Sequence, residues 1–121
     1  EKNMKINMVI DNVILLASLN DSEAARDFAA MLPLTLELND YAATEKISDL
    51  PAKLSVEGSP EGTRALKGDI AFYAPWGNLA IFYKDSGYAA GLVTLGQLDS
   101  IEKLPLNRSS FTATFELVEK G

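Results

Sequence analysis

The sequence predicts a mainly β fold: a closed or nearly closed antiparallel barrel with one α-helix plugging an end. Three observations carry that expectation. The 121-residue chain breaks into short β-rich runs, several with apolar–polar alternation, separated by turn residues. A single segment, about residues 21–32, has convincing helical periodicity. Six of the ten Phe, Tyr and Trp residues crowd into "GDIAFYAPWGNLAIFYKDSGY", residues 68–88, around a Pro-Trp-Gly-Asn turn.

Taken in order, "MKINMVIDNVILLASL" reads as a hairpin of runs 5–10 and 13–19. Asp11 and Asn12 both tolerate the positive φ of a tight primed turn. In "NDSEAARDFAAMLP", Asn20 caps a helix with Glu23 at capping-box spacing, and Pro33 closes it. Ala24, Ala25, Phe28, Ala29 and Leu32 share one face. "LTLEL", 34–38, alternates as a half-buried strand. Residues 39–67 hold Pro51, Pro60, Gly58 and Gly62 and read as a long connection of one or two short strands, one of them at 53–56, and excursions over the surface. Strands follow at 70–74, 79–83, 92–98 and 111–117, with Gly96 marking a bulge and 98–104 a helical turn or bend. About six to eight strands and one helix at this length suggest a barrel.

Composition removes several kinds of chemistry. With 47% hydrophobic residues the chain can bury a core and is not disordered. It has no Cys, hence no disulfide, thiol nucleophile or thiolate metal site. It has no His, which excludes serine triads, zinc hydrolase sites and facial-triad iron sites in their common forms. The net charge of −6 opposes nucleic-acid binding. No apolar run is long enough to span a bilayer as a helix, and no basic amphipathic helix suggests a membrane surface. The acidic residues are scattered without calcium-loop spacing, and Gly58, Gly62 and Gly68 form no phosphate cradle, so no metal and no cofactor is expected. The chain opens on Glu1: either Met4 is the natural start, or residues 1–3 end a polar tether behind a cleaved signal. An exported or a cytoplasmic setting fits equally.

"ASLNDSEAARDFAAMLPLTLEL", "DYAATEKISDLP" and "GDIAFYAPWGNLAIFYKDSGYAAGLVTLGQL", in that order and spacing, resemble the small bacterial cyclophilin-like domain family. The resemblance covers nearly the whole chain and implies one cyclophilin-like domain over residues 1–121, an eight-stranded antiparallel barrel with a helix capping an end. It does not carry over a prolyl isomerase site. True cyclophilins set a strand arginine in a Phe-His-Arg context beside a hydrophobic pocket and a glutamine. Here Arg26, Arg64 and Arg108 lack that context, and Gln97 is the sole glutamine. No catalytic residue is assigned.

The candidate binding residues are Tyr73, Trp76, Asn78, Tyr83 and Tyr88, with Thr44 and Glu45 from "TEKI". Alternation puts Phe72 with Ile70 and Ala74, and Tyr73 opposite them. The plain structural account is that one face fills the barrel and the other packs under the long loop. Turn chemistry needs the Gly-Asn but not Trp76, which either tucks onto its own barrel or lines a groove. Glu45 is a candidate base or anchor for a ligand amine, with Lys46 as its counter-charge; alternatively it pins a loop or is solvated. These residues favour a non-catalytic binding module for a small molecule or an extended, proline-containing peptide. A weak isomerase, a carboxylate-dependent enzyme and a protein–protein interaction domain are the alternatives, in a monomer or weak homodimer.

Overall fold

The computed structural model describes residues 4–118, so the expected tether at 1–3 lies outside the described residues. β1 (Met4–Ile10) and β2 (Val13–Leu19) form the expected hairpin, in register from Met4 opposite Leu19 to Ile10 opposite Val13. Of its two turn residues, Asp11 takes positive φ, at 56°.

The helix α1 (Glu23–Ala30) is shorter than expected, and Ser22 rather than Asn20 caps it. Ser22 Oγ accepts the Ala25 N–H at 3.1 Å, satisfying an orphan donor of the first turn. Asn20 has other work. Its Oδ1 accepts from the Ser22 N–H and hydroxyl, and its Nδ2 donates to the Thr94 carbonyl at 2.9 Å, tying the helix entry to the barrel. Ala24, Ala25, Phe28 and Ala29 are buried, and the Phe28 ring meets Phe115 edge-on at 5.8 Å.

Two strands of the barrel differ from expectation. β3 (Leu34–Tyr41) runs beyond the alternating core of "LTLEL", and β4 (Glu45–Asp49) lies inside the stretch read as irregular. They pair from Asn39 opposite Ile47 to Tyr41 opposite Glu45. Between them Ala42 and Ala43 both sit at positive φ, 57° and 54°, a turn that alanine does not advertise. Residues 53–56 form no strand. Leu54 enters the core, while the Ser55 N–H donates to Asp27 Oδ2 and its hydroxyl to Glu23 Oε1, both at 2.8 Å. The polar face of α1 thus holds this segment in place of a strand ladder.

β5 (Gly62–Arg64), β6 (Asp69–Tyr73), β7 (Asn78–Phe82), β8 (Tyr88–Ala90), β9 (Leu92–Leu98) and β10 (Ser110–Leu117) complete the chain, with a 3₁₀ turn at Ile101–Lys103. Eight strands close an antiparallel barrel in the order β1-β10-β3-β4-β7-β6-β9-β2. Closure at β2–β9 requires Gly96, because a Cβ there would lie 1.9 Å from the Ser18 carbonyl oxygen. Beside it the β6–β9 register slips: Ile70 faces Gly96 and Ala71 faces Thr94, leaving Leu95 as the extra residue of a bulge.

β5 and β8 pair only with each other, as a separate two-stranded sheet. Outside the main core, Ala65, Ala71, Ala80, Phe82 and Leu92 make a second apolar cluster, against which Ala89 of β8 packs. β7 is consequently buried along its whole length and β6 along nearly all of it, which is why "DIAFY" and "NLAIF" carry so few polar residues.

Candidate functional site

On β7, Leu79 and Ile81 point into the barrel, while Asn78, Ala80 and Phe82 point outward. On β4, outward Glu45, Ile47 and Asp49 stand opposite Phe82, Ala80 and Asn78. Tyr73 stands opposite Asn78 on the other side. This register assembles a cavity of about 190 Å³ on the outer wall, lined by Tyr41, Glu45, Tyr73, Trp76, Asn78 and Phe82, with Ser86, Ala89 and Leu92 from the covering segment.

The β6–β7 loop positions Trp76. Tyr73 carbonyl oxygen accepts from the Trp76 N–H at 3.2 Å and the Gly77 N–H at 2.8 Å, which folds the loop back over its own strand. Gly91 lets the β8–β9 connection approach from the other side: a Cβ there would fall 2.7 Å from Pro75 Cδ. Trp76 is 57% exposed, yet it is not loose. Its ring meets Tyr41 edge-on at 5.5 Å and Tyr73 at 5.4 Å. Such pairs are worth about 0.5–1.5 kcal/mol beyond area burial.

Two polar groups lie in this aromatic wall. Asn78 is 2% exposed; its Nδ2 donates to the Leu79 carbonyl at 3.1 Å, while its Oδ1 has no hydrogen-bond partner. Glu45 is half-buried, and burial, reinforced by the Asp40 charge, raises its carboxyl pKa above the ordinary glutamate value.

The fold divides the seven residues singled out in the sequence. Tyr73, Trp76, Asn78 and Glu45 line the cavity. Tyr83 faces the other way, at the mouth of the barrel, where its hydroxyl donates to Asp40 Oδ1. Burial, then that bond, pushes the Tyr83 phenol up to about 12, while Tyr83 and Lys46 together hold Asp40 below its ordinary value. Thr44 closes the β3–β4 turn, its hydroxyl donating to the Ala42 carbonyl at 3.0 Å. Tyr88 is 66% exposed on β8, opposite Arg64. Lys46 is not the counter-charge of Glu45: adjacent strand residues face opposite sides. Its Nζ points to the barrel mouth, donating to the Arg108 carbonyl at 2.7 Å and lying 3.4 Å from Asp40 Oδ1. Tyr41 and Phe82 join the cavity without having been singled out; Tyr41 is reached only once the Ala42–Ala43 turn is known. Among the described residues, no three acidic side chains gather as a metal site needs.

An eight-stranded antiparallel barrel plugged by one helix accompanies a match of residues 8–116 to the model of the Cyclophilin-like family. The chain belongs to that family. Among solved structures, this cyclophilin-like protein is similar to the solution structure of a hypothetical protein from Archaeoglobus fulgidus, at 15% identity and a TM-score of 0.68. The likeness covers 96% of this chain and 95% of that one and concerns the fold alone. No curated protein matches the sequence. None of the three arginines of this cyclophilin-like chain lines the cavity. Arg26 bonds Asp21 beside α1, Arg64 lies on β5, and Arg108 bonds Asp11 at 2.9 Å.

Proposed function

We propose that the protein is a non-catalytic binding module whose ligand enters the outer-wall cavity between Tyr41, Tyr73 and Trp76. The observation that carries this reading is the state of Trp76: a large aromatic side chain, more than half in solvent, held edge-on by two tyrosines at the rim of an apolar recess. Burial normally decides where such a residue goes, and tryptophan is enriched at the hot spots of binding surfaces. The cavity is small. An apolar space of about 150 Å³ holds one benzene ring, so about 190 Å³ suits one ring or side chain of a ligand whose remainder stays outside. A small molecule and an extended peptide presenting one residue both satisfy that. The absence of an arginine from the cavity lining favours binding over proline isomerisation.

Trp76 is the sole tryptophan, so its fluorescence reports the site directly. Titration with proline-containing peptides and metabolite pools is expected to find a ligand that shifts the emission and shields the indole from a soluble quencher. Trp76→Ala is then expected to weaken that ligand by about 2 kcal/mol or more. A ligand that binds equally well to Trp76→Ala would remove the basis of the proposal.

A further inference from the structure

Resting on that reading, we infer that the cavity is built for an organic cation, an alkylammonium or guanidinium group that presents an N–H donor to Glu45 and its charge to the rings of Tyr73 and Trp76. Two independent features converge on this chemistry.

The first is charge. Glu45 is the only ionisable carboxyl or basic group among the lining residues, which include no Lys or Arg. Neighbouring Lys46 is directed into the barrel mouth and committed to Asp40 and the Arg108 carbonyl. Among the described residues Glu45 has no ion-pair partner, so nothing in the wall offsets the cost of holding its charge there.

The second is the aromatic surround. The rings of Tyr73 and Trp76 stand at 81° to each other, and those of Tyr41 and Trp76 at 89°. Near-perpendicular rings around a recess can turn both faces and edges toward one occupant, and the negative face of a ring attracts a cation. The small volume admits such a head group and little more.

The test follows the Trp76 indole N–H by nuclear magnetic resonance while adding benzylammonium, its neutral isostere benzyl alcohol, and benzoate. Benzylammonium is expected to bind about tenfold more tightly than benzyl alcohol, with benzoate weakest. N-acetyl-lysine methylamide in the same series separates a protein-borne cation from a free amine by which of the two binds more tightly. Glu45→Gln is expected to erase the preference for the cation while retaining the spectrum of the folded barrel. Equal affinities for benzylammonium and benzyl alcohol would overturn the cation inference and leave the binding reading standing. Perturbation of the indole by none of the probes would remove both.

Discussion

Replacing Asp40 by Asn keeps its shape and its acceptor for the Tyr83 hydroxyl but deletes the charge facing Lys46. Lys46 is 1% exposed, and its Nζ lies 3.4 Å from Asp40 Oδ1. Unit charges at that distance attract by about 5 kcal/mol at an effective dielectric of ~20. Asp40 is 33% exposed, and solvent screening lowers the useful part to about 2–3 kcal/mol. The Arg108 carbonyl and the rings of Tyr83 and Phe111 stay beside the ammonium, so Asp40→Asn should cost about 2 kcal/mol rather than the ~3–5 kcal/mol of a fully stranded charge. Lys46→Met leaves Asp40 with Tyr83, the Ala43 N–H and water, and should cost about 1 kcal/mol. The double variant strands neither charge and should also cost about 1 kcal/mol, a coupling of about 2 kcal/mol. Urea unfolding followed by far-ultraviolet circular dichroism measures all four proteins, with unchanged m-values as the control. Because Asp40 is held below its ordinary pKa of 3.8, the advantage of the wild type over Asp40→Asn is present above that value and is lost as pH falls through the lowered one. Additive single variants, or an Asp40→Asn loss below about 0.5 kcal/mol, would show that the pair does not hold the mouth of the barrel.

Three further outcomes are expected. Gly96→Ala drives a Cβ into the Ser18 carbonyl and should cost about 3 kcal/mol, or about 10 °C in Tm, with amide exchange fastest at the β2–β9 seam. Ala42→Gly and Ala43→Gly should each stabilise by about 0.5–1 kcal/mol, because relief of the left-handed conformation exceeds the entropy that glycine brings to the unfolded chain; chemical denaturation decides it. Glu45→Gln should raise Tm near neutral pH. The carboxyl of Glu45 is raised above 4.5, so its contribution is full below that value and is lost as pH rises through the folded pKa; the two Tm curves should converge in acid.

Local chemistry carried much of this in advance. The β1–β2 hairpin, the apolar face of α1 and the alternation of β10 depend on residues close in sequence, and so does the two-sided character of β6 and β7. The rest depends on partners far along the chain. Ser22 wins the helix cap because Asn20 is drawn to Thr94, a residue of β9. β4 was hidden behind a turn of two alanines whose left-handed geometry only the completed sheet imposes. Of the site, the Tyr73–Asn78 hairpin was legible, and Glu45 was a candidate. Tyr41 was not, because its place at the cavity follows from the β3–β4 pairing. Tyr83 and Thr44 were grouped with the site by closeness in sequence, where strand parity and turn geometry separate them.

β4 places Glu45 and Lys46 on opposite sides of one thin wall, so a single peptide unit divides an anionic chamber outside from a cationic plug inside. Sliding this strand by one position would exchange those two signs at once, putting a carboxylate into the plug and an amine among the tyrosines. A one-residue insertion or deletion in the Ala42–Ala43 bend, trivial in length, would therefore exchange carboxylate and amine between the two sides of the wall.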